Sequence, residues 1–274
     1  MDKIAIILPV YKNDIVSYIR LSIDSILNQT YTGQIKLIVG VDGPVDEDIA
    51  ECLHEYERKE NVSIQWFPEN RGLAIVLNNL LDICKKECYE YIARMDADDI
   101  SISDRLEKQM KYLIDHPEID VVGGSIEEMD EEGKSRNKTI IYPETPKDCY
   151  NFFAKRNPHA HPAVMFRWRY FQKAGCMYRP EYRQNQDTML WLDGMSRGTQ
   201  HANIPDVVLR FRYTDTLFKK RRNGWMFAKK QLADRKMINR TLGYGLCATL
   251  FGYAMFCMLV SPAWVKKIAY RVFR

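Results

Sequence analysis

Hydrophobic and polar positions along the first 115 residues alternate between two periods, which predicts strands separated by helices. Apolar runs bounded by turn residues indicate strands, and apolar residues spaced three or four apart indicate helices. The predicted strands cover 3–10, 34–41, 62–67 and 89–95, and the predicted helices cover 14–29, 46–59, 73–85 and 104–115. This order predicts an α/β fold with a doubly wound, mostly parallel sheet that binds ligands at the carboxyl ends of its strands.

The strand predicted at 89–95 runs directly into three carboxylates, Asp96, Asp98 and Asp99. In an extended chain Asp96 and Asp98 would project to one side and Asp99 to the other. Two carboxylates on one face repel each other unless a cation or a donor-rich ligand lies between them, and oxygen ligands suit Mg²⁺ or Mn²⁺. The alternative is that these acids only cap the helix that begins near Asp104.

Other polar side chains follow the remaining predicted strands. Tyr11 follows the first strand, Asp42 the second and Arg71 the third. Alone, Asp42 would indicate a tight turn and Arg71 a surface salt bridge. Their shared position at the carboxyl ends of neighbouring strands instead favours a nucleotide site.

Four short segments carry a resemblance to a known family. They read Ile-Leu-Pro9-Val-Tyr-Lys, Val-Asp42-Gly, Glu69-Asn-Arg-Gly-Leu and Asp96-Ala-Asp-Asp. Together they resemble the nucleotide-sugar-binding half of the family 2 glycosyltransferases, which have the GT-A fold. The resemblance implies a catalytic domain over 1–215, with a nucleotide-sugar-binding half at 1–100 and an acceptor-binding half at 101–215.

The resemblance also implies roles for single residues. Asp42 would contact the base of a nucleotide-sugar donor, Arg71 the base or the diphosphate, and Asp96 the ribose side. Asp98 would bind the Mn²⁺ or Mg²⁺ that bridges the diphosphate. Further donor-site positions are Pro9, Tyr11 and Asp99. Uridine is the expected base because the family uses it often.

The segment Asn157-Pro-His159-Ala-His161-Pro162 introduces a further apolar run at 163–168. Two histidines separated by one residue could ligate zinc, but neither a cysteine nor a third histidine lies nearby in sequence, which favours a loop that orders substrate. In similar transferases a comparable His-Pro segment precedes a strand beside the acceptor pocket. His161 is therefore a candidate site residue.

Asp187 lies in the first turn of a helix predicted to open near Gln186. Its ordinary role would be to complement the helix dipole, worth ~0.3–1 kcal/mol at an exposed site. In the resembling family an acidic dipeptide at this place supplies the base that deprotonates the acceptor hydroxyl. Here the dipeptide is Gln186-Asp187, which leaves Asp187 as the base of a direct, inverting displacement. The resembling family often carries basic residues farther along that meet the donor diphosphate, which implies this role for Arg212 and Arg221, although a solvated charge run is the competing interpretation.

Charge divides the chain unevenly. The net charge is +4, yet residues 219–274 hold thirteen basic residues and one acid, Asp234, so residues 1–218 carry about −8. The seven cysteines form no CxxC pair, and no secretory signal is expected before the first strand, which predicts reduced thiols in the cytosol.

The basic end of the chain predicts contact with a membrane. Residues 219–240 combine nine basic residues with aromatic and aliphatic ones, as in a basic amphipathic helix, and 241–265 contain no charge. That uncharged stretch is long enough to span a bilayer, but basic residues flank both of its ends, which favours a re-entrant or in-plane segment against anionic lipid. A spanning helix and a buried core helix are the alternatives.

The resemblance, together with these patterns, implies an inverting, metal-dependent glycosyltransferase on the cytoplasmic side of the inner membrane. Residues 216–274 would form its basic membrane-association region, and the acceptor would be a polyprenyl-diphosphate-linked saccharide in polysaccharide assembly. A sugar-phosphate nucleotidyltransferase ranks lower because no Gly-rich phosphate loop follows the first strand. A non-catalytic module that docks to membrane or nucleic acid is the third possibility, although we expect no nucleic acid partner. A dehydrogenase is disfavoured because GxGxxG is missing.

Overall fold

The computed structural model describes residues 2–213 and 224–261. Its strands are β1 (Ile4–Val10), β2 (Ile35–Val41), β3 (Val62–Trp66), β4 (Tyr91–Arg94), β5 (Ile100–Ser101), β6 (Val121–Met129), β7 (Ser135–Ile140), β8 (Met165–Arg167) and β9 (His201–Arg212). Its helices are α1 (Val16–Leu27), α2 (Glu47–Glu57), α3 (Leu73–Lys86), α4 (Arg105–Asp115), α5 (Pro146–Phe153), α6 (Arg169–Ala174), α7 (Gln186–Ser196), α8 (Trp225–Thr241) and α9 (Leu246–Val260). A 3₁₀ turn covers His161–Ala163.

The strands of the described residues form one sheet in the order β3-β2-β1-β4-β8-β6-β9-β5, with β7 paired to β6. The strands β3, β2, β1 and β4 are parallel, as predicted. Beyond β4 the pairing is mixed, because β8 runs antiparallel to both β4 and β6 while β6 and β9 are parallel. The fold is therefore mixed α/β, with a parallel half and a mixed half.

The strands of the parallel half are apolar on both faces, as is typical of parallel sheets. In β1, Ile4, Ile6 and Leu8 belong to a cluster that covers one face of the sheet, whereas Ala5 and Ile7 belong to the cluster on the other. A strand buried on both sides needs helices on both sides, and crossover helices between parallel strands supply them. Helices α1, α2 and α4 lie over the first face, and α3, α6 and α7 lie over the second.

The long strand β9 was not predicted. Pro205 and Asp206 interrupt its apolar pattern, and the structure accommodates them as an irregularity in the pairing with β6. Gly124 pairs with Ile204 and the next residue, Ser125, pairs with Val207, so the two interrupting residues are skipped in the register. Such bulges keep a ladder intact across a residue that cannot donate to it.

The helices α8 and α9 form a hairpin, and α8 packs against the helices on the second face of the sheet. On α8, Ala228 and Ile238 are buried, and Ile238 joins the same cluster as α3 and α7. None of the helices in the described residues has the length and hydrophobicity that a membrane span requires. The predicted basic cluster at 219–222 and the segment 262–274 lie outside the described residues.

Candidate active site

The three carboxylates after β4 meet in one cluster, which we call the acidic turn (residues 96–99). The strand ends at Arg94, so the acids lie in a turn rather than in extended chain. One oxygen each from Asp96, Asp98 and Asp99 lies within 4.8 Å of the others. The expectation that Asp99 points away from its neighbours was therefore wrong, because strand alternation stops where the turn begins.

Side chains from distant elements hold the acidic turn in place. Ser22 on α1 donates to the main-chain oxygen of Asp96 over 2.8 Å. The Arg212 main-chain N–H donates to Asp99 Oδ1 over 2.9 Å, and its Nε donates to the main-chain oxygen of Asp98 over 2.9 Å. The guanidinium of Arg94, which is buried, pairs with the Asp96 carboxylate.

The environment of the acidic turn disfavours three negative charges. Burial, followed by the Asp96 carboxylate, raises the pKa of Asp98 to about 6. Burial, followed by the carboxylates of Asp98 and Asp96, raises the pKa of Asp99 well above its usual range. Asp99 Oδ2 is buried and makes no hydrogen bond to the described residues. A divalent cation fits this donor set because it would supply the positive charge that the clustered oxygens lack.

At the end of β2, Asp42 fixes the loop that carries Arg71. Its carboxylate accepts the main-chain N–H of Arg71 over 2.8 Å and that of Gly72 over 3.0 Å. Gly43 makes this approach possible, because its φ is +84° and a Cβ would lie 2.5 Å from the main-chain nitrogen of Asn70. The Arg71 side chain itself is exposed and has no hydrogen-bond or ion-pair partner among the described residues.

The first strand contributes Pro9 and Tyr11 to the same edge of the sheet. Pro9 is half-buried within β1 opposite Gly40 of β2. Tyr11 follows the strand, and its main-chain N–H donates to Asp14 Oδ2 over 2.9 Å. Both residues thus lie at the carboxyl end of the parallel half, beside Asp42.

Asp187 lies in the first turn of α7, as predicted. Asn157 Nδ2 donates to Asp187 Oδ2 over 2.9 Å. The neighbouring Gln186 Oε1 is buried and accepts no hydrogen bond from the described residues. Burial raises the pKa of Tyr178, the charge of Arg94 opposes the rise, and the carboxylates of Asp187 and Asp96 add to it. Both acids therefore lie within electrostatic reach of one phenol.

His161 is buried and its Nε2 lies 2.7 Å from the hydroxyl of Tyr178. Burial, followed by the charge of Arg94, lowers the pKa of His161 well below its usual range. Its sequence neighbour His159 is bonded to Asn203 and His201 instead. In the described residues, the acidic turn is the group of three or more side chains that could hold a metal ion.

Of the two arginines predicted to meet the diphosphate, only Arg212 lies within the described residues. Arg212 is buried, its Nη1 donates to main-chain oxygens of Asp130 and Glu131, and its guanidinium lies 3.8 Å from the centre of the Tyr18 ring. Together with its bonds to Asp98 and Asp99, these contacts join the acidic turn to the turn between β6 and β7, while the Arg212 Nη2 has no hydrogen-bond partner among the described residues. Arg221 lies outside the described residues.

Sequence reasoning missed several residues that support the site. Arg94 and Tyr178 lie behind the acids, Asn157 holds Asp187, and Arg105 donates to the main-chain oxygens of Arg94 and Val164. A charged residue at the end of the apolar strand β4 was an available signal for Arg94. No comparable signal marked Tyr178 or Asn157, because their partners are distant in sequence.

Together, the parallel half, the mixed half and the carboxylate cluster at the end of β4 define an enzyme of the GT-A glycosyltransferase type. The family model "Glycosyl transferase family 2" matches residues 5–174. The chain therefore belongs to glycosyl transferase family 2.

Relatives with curated descriptions agree with this assignment. The chain is 31% identical over 268 residues to the amylovoran biosynthesis glycosyltransferase AmsE of Erwinia amylovora, covering 97% of each chain. It is 25% identical over 231 residues to the UDP-Gal:alpha-D-GlcNAc-diphosphoundecaprenol beta-1,3-galactosyltransferase of Escherichia coli, covering 84% of this chain and 81% of that protein.

Solved structures share the fold at low sequence identity. S. aureus TarS 1-349 in complex with UDP-GlcNAc superposes with a TM-score of 0.66 at 13% identity, covering 97% of this chain and 83% of that chain. The mannosyltransferase PcManGT of Pyrobaculum calidifontis, in complex with GDP-Man and Mn²⁺, gives a TM-score of 0.61 at 16% identity, covering 98% and 78%. These likenesses establish the fold.

Proposed function

We propose that this glycosyltransferase moves a sugar from a uridine-diphosphate sugar to a hydroxyl of a glycan acceptor, with inversion at the transferred carbon. The observation that carries the proposal is the acidic turn, where Asp96, Asp98 and Asp99 bring oxygens within 4.8 Å of one another. Uridine as the base is supported by one relative whose name includes UDP-Gal and by one solved structure described as a complex with UDP-GlcNAc.

Asp98 is the proposed ligand of Mn²⁺ or Mg²⁺, with Asp96 and Asp99 beside it. The fit rests on hard oxygen donors, on the unpartnered Asp99 Oδ2 and on mutual repulsion among the acids. When bound, such a cation would offset the negative charge that develops on the leaving diphosphate. The Mn²⁺ complex of the archaeal mannosyltransferase supports this part of the proposal.

The donor would lie along the carboxyl ends of the parallel strands. Asp42 would hold the Arg71 loop and contact the base, and the exposed Arg71 guanidinium would reach the base or the diphosphate. Pro9 and Tyr11 would border the base, and Asp96 would face the ribose. Arg212 would act from behind, by holding the main chain of the acidic turn.

Asp187 is the proposed general base. As the acceptor oxygen bonds to the transferred carbon and the bond from that carbon to the diphosphate breaks, the acceptor's proton passes to the Asp187 carboxylate. Asn157 would orient the carboxylate through its contact to Oδ2. A single displacement of this kind inverts the configuration of the transferred carbon. Gln186 and His161 would line the acceptor side.

The acceptor is proposed to be a lipid-linked saccharide in polysaccharide assembly. Two relatives support this, one described by amylovoran biosynthesis and the other by a diphosphoundecaprenol acceptor. Such an acceptor would place the enzyme on the cytoplasmic face of the inner membrane, in contact with lipid through residues 219–274. The catalytic domain would end near residue 215.

Calorimetric titration with UDP-sugars and GDP-sugars, in Mn²⁺ and in chelator, tests the donor and metal assignments. Wild type should bind one donor class in Mn²⁺, and Asp98→Asn should weaken that binding at least tenfold. Asp115→Asn, at an exposed acid paired with Lys111, is the matched control and should bind as wild type does. Equal Mn²⁺-dependent binding by Asp98→Asn would contradict the assignment of the metal ligand.

The base is tested separately by turnover. Asp187→Asn should bind donor normally but lose about 10²–10⁴-fold in turnover, the range expected for a general base. Glu181→Gln, an exposed acid in the preceding loop, is the control. Turnover by Asp187→Asn within twofold of wild type would overturn the role of Asp187, and a product of retained configuration would overturn the single displacement.

A further inference from the structure

The hairpin of α8 and α9 exposes an apolar stripe. On α9, Leu246, Leu250, Tyr253, Cys257 and Val260 are all exposed. Their spacing alternates between four and three residues, which places them along one side of the helix. The opposite side packs on α8, where Gly252 is buried against the Arg235 stem. An uncharged stripe about 22 Å long therefore runs parallel to the helix axis.

The neighbouring helix α8 carries exposed cations, and one of them touches this stripe. The exposed basic residues of α8 are Lys229, Lys236 and Arg240. The ammonium of Lys236 lies 4.8 Å from the centre of the Tyr253 ring on α9, and that of Lys229 lies 5.3 Å from the centre of the Trp225 ring. Lysines beside interfacial aromatic rings extend their ammonium groups toward headgroups while their stems cover apolar surface.

The charge of the hairpin selects an anionic partner. Asp234 is the acid among residues 224–261, and it is buried. The exposed side of the hairpin thus carries positive charge only. A second copy docked on the same face would oppose like charges across a two-fold axis, which disfavours self-association.

We propose that the α8–α9 hairpin docks in the plane of an anionic bilayer, with the α9 stripe among the acyl chains and the α8 cations on the headgroups. This deepens the membrane contact of the proposed function by naming the surface and the lipid chemistry, but it does not depend on catalysis. Binding at such a surface combines buried apolar area with attraction to anionic lipid.

Flotation of the full chain with vesicles tests this surface. Wild type should bind vesicles of phosphatidylcholine with 30% phosphatidylglycerol at least tenfold more tightly than pure phosphatidylcholine. Leu246→Glu with Leu250→Glu should lower binding to the anionic vesicles at least tenfold. The matched control is Leu21→Glu with Ile114→Glu, which changes two similarly exposed positions on α1 and α4 and should bind as wild type does.

Donor binding by each variant and the oligomeric state of the protein, measured by light scattering, complete this test. Each variant should bind the donor as wild type does, which separates this test from that of the proposed function. Equal loss in the stripe and control variants, or no preference for anionic vesicles, would overturn the proposal. So would a dimer in light scattering, without vesicles, that the stripe substitutions dissolve, because a second copy would then be the occupant. A stripe variant that melts well below the control variant would show that the chain itself covers the stripe, and would also overturn it.

A different observation concerns how α8 meets the helix of the proposed base. Asn185, the residue before α7, has a left-handed φ of +62°. Its Nδ2 donates to Asp234 Oδ2 over 2.8 Å, and Asp234 is 5% exposed. Asparagine adopts this backbone conformation more readily than most residues, and a buried acceptor fixes its side chain.

We infer that Asp234 is a positioning residue for Asp187. It anchors the residue that starts α7, two positions before the carboxylate, from a helix outside the sheet. This inference rests on the proposed role of Asp187 as base. Because the contact needs only an acceptor oxygen, an amide at position 234 can replace the carboxylate.

Kinetics of three variants test this positioning role. Asp234→Ala should lower kcat at least fivefold with the donor KM within twofold of wild type, and Asp234→Asn should restore most of kcat. Asn239→Ala is the control, because Asn239 is buried on the same helix but its side chain has no hydrogen-bond partner among the described residues. Equal loss of kcat in Asn239→Ala, or failure of Asp234→Asn to recover, would overturn the role. If Asp187→Asn itself keeps its turnover, the proposed base is wrong instead.

Discussion

Acidification is expected to destabilise the folded chain by protonating a chain of buried hydrogen bonds that joins β9 to the loop after α5. Asn203 on β9 starts the chain. Its Nδ2 donates to the main-chain oxygens of Pro143 over 2.6 Å and Pro158 over 3.0 Å. Its Oδ1 must therefore accept, so His159 Nδ1, 2.8 Å away, carries a proton.

The remaining protons follow from this one. His159 Nε2 is then bare and accepts from His201 Nδ1 over 3.1 Å, and His201 Nε2 accepts from the Thr199 hydroxyl over 2.9 Å. Both imidazoles are neutral, and each has one assigned tautomer. A proton added to His159 would turn its Nε2–H toward the Nδ1–H of His201, so the contact survives only if His201 moves its own proton to Nε2 and donates to the Thr199 hydroxyl.

The size of the effect follows from the pKa of His159, which burial lowers to about 4. The unfolded chain takes up this proton near pH 6.5 and the folded chain only near pH 4, so the unfolded state binds more protons in between. The stability that the folded chain keeps by holding His159 neutral is complete above about pH 6.5 and is lost as the pH falls toward 4. At 1.36 kcal/mol per unit of pKa, it amounts to about 3 kcal/mol.

Urea unfolding of wild type and His159→Gln between pH 7.5 and 4.5 measures this contribution. A difference between two proteins is needed because the raised pKa of Asp98 acts on stability in the opposite direction, and this term cancels in the comparison. The free energy by which wild type exceeds the variant should shrink by about 2–3 kcal/mol across this range. His54→Gln, at an exposed histidine, is the surface control. A gap that stays constant with pH would refute the assignment of a buried, neutral imidazole.

Three further substitutions probe the supports of the acidic turn and the Arg71 loop. Gly43→Ala should raise the donor KM and lower stability by about 1–3 kcal/mol, because its Cβ meets a main-chain nitrogen and its φ is positive; donor titration and urea unfolding check this, and an unchanged KM would contradict it. Arg212→Met should lower the free energy of unfolding by at least about 2 kcal/mol, because it leaves the main-chain oxygens that accept from the guanidinium without a hydrogen-bond donor. Thermal unfolding measures the loss, and an unchanged stability would mean that water replaces the guanidinium. Ser22→Ala should cost about 1 kcal/mol and change turnover only slightly, because it removes a single hydrogen bond to the main chain of Asp96; a loss of donor binding as large as that of Asp98→Asn would show a direct role for Ser22.

The sequence predicted the parallel half well because its signals are local. Strand and helix periods, proline and glycine breaks and the acids after β4 all lie within short windows. The resemblance added the family, which the match over residues 5–174 confirms. The roles of Asp42, Arg71, Asp98 and Asp187 stay predictions until the variants above are measured.

The mixed half was less accessible because its pairings join distant residues. The strand β9 pairs with β6 about eighty positions earlier, and its proline hides the pattern. The turn geometry that brings Asp99 beside Asp96 likewise depends on contacts from Arg212, more than a hundred positions away. Neither the spacing of residues nor their composition indicates which distant segments make these contacts.

By itself, then, the sequence determined the alternation of strands and helices, the positions of the acids at strand ends and the basic character of the last fifth of the chain. Only the tertiary structure decided which polar groups share a site: the main chain of Arg71 on Asp42, Asn157 on Asp187, and Asp234 on the residue before α7. The reason is physical. Burial and partner geometry set the charge and direction of a side chain, and both arise when segments far apart in sequence pack together.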